Sequence, residues 1–452
     1  MELAPTDPLV RAEAWQLAPA PKPVTPWQWT PAQAAENEFV DLRSAADGLQ
    51  DAMEAACDYL AGGFWEDAAS TLEASLRSIS SPDPVALYLL GYVKEHLGEI
   101  DTARALWNKA SEHPGNHAYA FRKEEEQALR AALAHQPQDG LAHALLGMLD
   151  LYRLNPDRAV PELEQAVRLR PKWDQPLRLL SICLQMQGNK QQAAERLEQA
   201  VAVNPENPGL YVELDELLAA LEGSKSRRQR LWAHVPAAVL EEDHARGRYA
   251  AFLIDGEEYG RAVELLLGHT FFPEEGSSVY RELFVLAELG LALRAAEAGQ
   301  LDSALEHFQQ AATYPDCLGL ATPFIRYDAA ALVAQAGVVL RRGEQATARS
   351  LLERAAAERH RETNEAEYFS GLAYRYLGRA ERAQTKFEHL IRKSSLDSAW
   401  PDRDPDYGRF LAALGRAGLG SPNSLPESLS AGLRTRFTIY ARLHSLLLPG
   451  QE

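Results

Sequence analysis

The stretch Leu146-Gly147-Met-Leu-Asp-Leu-Tyr-Arg-Leu-Asn-Pro-Asp-Arg-Ala159-Val-Pro-Glu-Leu163-Glu-Gln-Ala166-Val-Arg-Leu-Arg-Pro171 returns in outline 34 residues later. There Leu180-Ser181 is followed by Ala193, Leu197, Ala200 and Pro205. Small residues at fixed places and a closing proline, repeated at this period, mark a helix–turn–helix repeat. One such unit cannot bury its apolar face alone, so neighbours must stack.

One spacing follows the repeat outward: a small residue in the first helix of a pair (helix A), then alanine twelve positions later in the second (helix B). It joins Ala56 to Ala68, Gly91 to Ala103, Gly147 to Ala159 and Ser181 to Ala193. Toward the C-terminus it joins Ala250 to Ala262, Ala292 to Ala304, Ala336 to Ala348 and Gly371 to Ala383. Where two helices cross closely, a larger side chain would push their axes apart. The expected fold is all-α, a right-handed superhelical solenoid of antiparallel helix pairs. Asn155-Pro156 offers a cap and a proline at the first helical position. Gly98 and Gly299 offer C-terminal glycines, each followed shortly by an acidic residue that opens the next helix. Pro161 lies inside a helix B, where a kink is expected.

The pattern predicts a partly extended segment over 1–42, with Trp15, Trp27 and Trp29, then repeat arrays over 43–222 and 223–396. A loop-rich region over 397–452 follows, with an apolar helix around Leu433–Leu448 to cap the ladder. An added helix is expected over His117–His135, and loops at Phe271–Ser278, Tyr314–Phe324 and Ser394–Pro426. Lys225, Arg227, Arg228 and Arg230 are expected to form a solvated joint between the arrays.

The net charge of −18, from 64 acidic and 46 basic residues, repels phosphate backbones and anionic lipids. Nucleic acid and membranes are therefore not expected partners. No uncharged apolar run reaches the ~18 residues of a membrane helix, and the first residues lack the basic-then-apolar pattern of a signal peptide. A cytoplasmic location is expected. Cys57, Cys183 and Cys317 form no paired motif and are expected to be free thiols in helix packing. No nucleophile elbow, phosphate loop or zinc-protease motif is present. His113 and His117 straddle Pro114-Gly115, which breaks the helix that two aligned ligands would need. No catalytic residue, cofactor or metal site is expected.

The Leu-Gly…Ala…Leu/Phe…Ala…Pro pattern over about residues 50–395 resembles the tetratricopeptide repeat. The resemblance implies that helix A of each pair lines a concave groove holding a protein or peptide partner. By register, the groove candidates are Tyr88, Tyr92 and Glu95, then Arg178, Ile182 and Gln185, then Tyr368, Leu372 and Arg375. A carboxylate clamp is not expected, because Tyr92 and Ile182 stand where asparagine is needed and Arg178 is a lone cation. Tyr211–Leu217, Ala262–Leu266, Phe272–Gly276, Ala304–Phe308, Thr313–Pro315 and Phe121–Glu124 together are similar to the repeat region of large bacterial proteins. In those, a β-sandwich resembling sugar epimerases precedes the repeats. That likeness implies a link to a carbohydrate-active protein, as accessory subunit or detached repeat module, although no part of this chain is expected to form the sandwich. The leading expectation is a non-enzymatic scaffold.

Overall fold

The spacing that marks each repeat has a direct packing cause. In the computed structural model, a Cβ added at Gly91 would lie 2.3 Å from the Trp107 ring, and one at Gly147 would lie 2.5 Å from Leu163. At Gly371 it would lie 2.5 Å from Phe387. Each large residue stands sixteen positions after its glycine. The same offset joins Ala56 to Leu72, Ser181 to Leu197, Ala250 to Leu266, Ala292 to Phe308 and Ala336 to Leu352, all buried. A large apolar side chain of helix B thus rests on the small residue of helix A.

The structure describes residues 48–447, apart from 78, 80–81, 116–117, 222, 273–277, 321–327, 359–363, 394–405 and 422–428. The expectations for residues 1–42 and for His117 lie outside the described residues. Every described segment of regular structure is helical, and the chain is an all-α repeat solenoid. It forms two compact units, residues 1–204 and 205–452.

Unit 1 holds α1 (residues 48–62) and α2 (Trp65–Leu76), α3 (Pro84–His96) and α4 (Ile100–Ser111), then α5 (Lys123–His135). It continues with α6 (Gly140–Tyr152) and α7 (Pro156–Leu169), then α8 (Asp174–Met186) and α9 (Lys190–Val203). Unit 2 opens with α10 (Pro208–Ala219) and α11 (Lys225–Ala233). Pairs follow as α12 (Asp243–Asp255) with α13 (Tyr259–Leu267), and α14 (Val279–Glu297) with α15 (Leu301–Ala311). Next come α16 (Ala329–Arg341) with α17 (Gln345–Ala357), and α18 (Ala366–Tyr376) with α19 (Ala380–Lys393). Two further helices, α20 (Tyr407–Gly418) and α21 (Ala431–Leu447), close the described chain.

The helix ends follow the local chemistry. Gly98 (φ 81°) and Gly299 (φ 76°) turn the chain in the left-handed region that glycine enters without strain. Behind Gly98, the Glu99 N–H donates to the Lys94 carbonyl at 2.8 Å and ends α3. Pro156 begins α7 as expected, but the Asn155 side chain makes no cap hydrogen bond. Helix α7 runs from Pro156 to Leu169 with Pro161 inside it. Cys57 and Cys183 are buried free thiols, and Cys317 is a half-buried one. Burial raises the thiol pKa of Cys57 to about 12 and that of Cys183 to about 11, which keeps both inert near neutrality.

Three expectations are corrected. Helix α20 forms within the stretch read as loop, because Phe410, Leu411 and Leu414 bury its apolar face. Its glycines serve close approach: a Cβ at Gly418 would lie 2.3 Å from Phe387. Arg228 is buried in place of being solvated, and it pairs with Asp215 and Asp255 at 2.8 and 2.9 Å. The last helix does not cap the end of the stack. α21 packs across α12, α14 and α16 as well as α20.

Candidate functional site

The helix-A faces position the predicted groove residues, and the three faces differ. On α3, Tyr88 is fully buried, and its hydroxyl donates to Asp139 Oδ2 at 2.6 Å. Burial and then the Asp139 charge raise the pKa of that hydroxyl well above its ordinary value. Asp139 in turn accepts from the Leu141 and Ala142 N–H groups that open α6. Tyr92 is half-buried and meets Trp65 edge-on at 5.6 Å, while Trp65 stacks on His96 at 3.8 Å. Glu95 Oε1 lies 2.6 Å from His135 Nε2, at the end of α5. The inserted helix thus packs against α3, and Tyr88 is a packing residue held at the start of α6.

On α18, Tyr368 and Leu372 are buried. The Tyr368 hydroxyl lies 2.9 Å from His444 Nδ1 of α21. Arg375 sits 5.0 Å from the Phe387 ring centre and donates to the Gly418 carbonyl at the end of α20. This face is closed by the C-terminal helices.

On α8, Arg178 and Ile182 are half-buried and Gln185 is exposed, its Nε2 donating to Ser181 Oγ at 3.3 Å. The neighbouring face of α6 adjoins, since Gln175 Nε2 lies 3.8 Å from Met148 Sδ. Tyr152, at the end of α6, is 76% exposed. Of the three predicted faces, this one presents side chains to solvent. Tyr152 stands one position beyond Leu151, outside the register places Ala144, Met148 and Leu151, so the sequence reading passed over it.

Sequence reasoning also missed the residues that seat α21. Arg436 reaches Glu365 at 2.6 Å and Glu282 at 3.1 Å, and Arg442 forks onto Glu297 at 2.7 and 2.9 Å. Burial opposes ionisation of Glu365, but Arg436 and the Tyr407 hydroxyl outweigh it and hold the carboxyl below its ordinary range. The available signal was charge: Arg434, Arg436, Arg442 and His444 stand in Ala431–Leu447 with no acidic residue, in a chain of net charge −18.

The His444 seat makes stability acid-sensitive. Burial first, then the Arg375 charge, depresses its imidazole pKa from 6.5 to about 4. The unfolded chain therefore takes up a proton that the folded chain refuses as pH falls from 6.5 toward 4. Stability is untouched above that window and falls within it, by at most about 3 kcal/mol. Urea unfolding at pH 7 and pH 5 should show a larger loss for wild type than for His444→Gln, and equal losses would contradict it.

Among the described residues no group of three or more His, Cys, Asp or Glu side chains could hold a metal ion. Nor is any described helix long and apolar enough to cross a membrane. A family model described as a tetratricopeptide repeat matches residues 53–117, the stretch that runs from α1 past α4. Those residues carry a tetratricopeptide repeat. The chain is also similar to solved structures. One is a tetratricopeptide repeat protein from Parabacteroides merdae, at 12% identity over 82% of this chain and 99% of that one, with a TM-score of 0.20. Another is Pseudomonas aeruginosa pilF, at 16% identity over 62% and 98% of the two chains, with a TM-score of 0.23. No curated protein matches.

Proposed function

We propose that this repeat protein is a non-catalytic scaffold that binds a partner protein or extended peptide along the α6 and α8 faces of unit 1. The observation that supports this is that Gln185 of α8 is exposed and Arg178 and Ile182 are half-buried, while Tyr88, Tyr368 and Leu372 on the other two faces are buried. On α8, Gln175 reaches Met148 of α6 at 3.8 Å, and Tyr152 ends α6 with 76% exposure. Arginine and tyrosine supply large contact area with a polar handle, and they dominate binding energy at interfaces.

The test is quantitative capture from native lysate with wild type and the double variant Tyr152→Ala/Arg178→Glu. The variant is compared only after its urea unfolding has been shown to stay cooperative, as in wild type. A captured protein should fall at least about tenfold, as the loss of a hot-spot pair of about 2 kcal/mol implies. An unchanged set of captured proteins would refute the reading.

A further inference from the structure

Helix α21 lies across unit 2, where it meets the first helix of four successive pairs. Thr435 Oγ1 donates to Asp255 Oδ1 of α12 at 2.7 Å. Arg436 reaches Glu282 of α14 and Glu365 at the start of α18. Arg442 holds Glu297 at the end of α14, and Tyr440 meets the Phe369 ring of α18 edge-on at 4.8 Å. Leu443 lines a small gap with Ala296, Phe308, Ala334 and Val338, where α16 comes closest.

One property sets α21 apart from the paired helices. Its contacts are spread thinly, and with no single helix does it pack as extensively as the members of a pair pack with each other. Its seat also carries an uncompensated polar group, since His444 Nε2 is buried without a hydrogen-bond partner. The charge pattern is complementary: arginines on the helix face Glu282, Glu297 and Glu365 on the array. The array itself is held by packing within each pair, from α12·α13 through α18·α19, and between successive pairs at α13·α14, α15·α16 and α17·α18.

We propose that the face of unit 2 under α21 is a docking groove for a basic amphipathic helix of a partner protein, with α21 as its tethered occupant, which such a helix displaces. The inference rests on the same reading of the chain as a protein-binding scaffold. It uses a different face, so it can fail while the α8 face stands, and the reverse. α21 itself shows what the groove accepts: arginines six positions apart, with an aromatic ring between them and a leucine beside the second. Being tethered, it competes at an effective concentration on the order of mM, which keeps the groove closed to weak ligands.

The test uses the full chain and a labelled synthetic peptide of residues 431–447 as the probe. In the double variant Arg436→Glu/Arg442→Glu the tethered helix is weakened, and the probe should bind at least about tenfold tighter than to wild type. Adding Glu282→Lys/Glu297→Lys to that variant should abolish the gain, and a probe carrying both arginine-to-glutamate changes should not bind. In wild type, saturating probe should speed amide exchange across residues 431–447 and leave α14 and α16 protected. Three results would overturn the proposal. The folded double variant could bind the probe no better than wild type. The reversed-charge probe could bind as well as the original. The double variant could lose its cooperative unfolding, which would make α21 an obligate part of the core. Arg178→Glu serves as the control and should leave probe binding unchanged.

Discussion

Replacing Asp215 with alanine should destabilise unit 2 by about 3–5 kcal/mol, the usual effect of removing one partner from a buried ion pair. Asp215 is fully buried and accepts four hydrogen bonds. Arg228 donates from Nε at 2.8 Å and Nη2 at 3.1 Å, Arg248 at 2.5 Å, and Trp232 Nε1 at 2.8 Å. Burial alone would disfavour the Arg228 charge, but Asp215 and then Asp255 hold it firmly cationic. Without Asp215 the buried guanidinium keeps one half-buried carboxylate, Asp255, and the Trp232 N–H loses its acceptor. At roughly 2–4 °C per kcal/mol for a unit of this size, the melting temperature should fall by about 10 °C. Arg248→Ala should cost less, because that side chain is 28% exposed and retains water as a partner. The double variant Asp215→Leu/Arg228→Met should recover most of the loss, since well-packed apolar residues replace buried ion pairs at little penalty. A melt of Asp215→Ala within 2 °C of wild type would refute this account.

That cluster also shows where sequence reading stops. A run of basic residues usually faces water, so Arg228 read as part of a solvated joint. Its partner stands only thirteen residues upstream, in α10, the helix just before the run, but nothing in the spacing says that the arginine turns inward. The repeat was legible for the opposite reason. Close crossing of two adjacent helices forces a small residue at one fixed place, and that constraint is local enough to leave a period. The same logic misled at α20: Gly415 and Gly418 look like loop residues, yet they let α20 approach Phe387.

Closure of the grooves was the least legible feature. Arg436 pairs with Glu282 across 154 residues, and Arg442 with Glu297 across 145. Contacts of such separation leave no periodic trace. The register did place Tyr88 and Tyr368 on helix-A faces, but it could not say that Tyr88 would be held at the start of α6 or that α21 would cover Tyr368. A repeat's inner positions are therefore groove positions only where no other helix has settled. The basic composition of α21 was visible, and beside an acidic array it is the one feature that could have foretold its seat.

Substituting Gly91 tests the rule that builds the ladder. Alanine is the better helix former by about 1 kcal/mol, so propensity alone makes Gly91→Ala stabilising. Packing argues the other way. The new methyl would lie 2.3 Å from Trp107 Nε1 and 2.6 Å from Cδ1, below any real contact. The ring cannot swing aside, because Trp107 is fully buried and its N–H donates to the Tyr88 carbonyl at 3.3 Å. Overpacking of this kind costs about 1–3 kcal/mol, enough to outweigh the gain and leave Gly91→Ala up to about 2 kcal/mol less stable. Gly91→Leu adds three more carbons in the same direction and should lose at least about 3 kcal/mol. The two sites should be strongly coupled: in a Trp107→Ala background, which itself costs about 3–5 kcal/mol, Gly91→Ala should turn neutral or stabilising. Urea unfolding of the four chains gives the coupling directly. Additive losses would mean that the glycine is not there for the tryptophan, and the sixteen-residue pairing of small and large side chains would lose its physical cause.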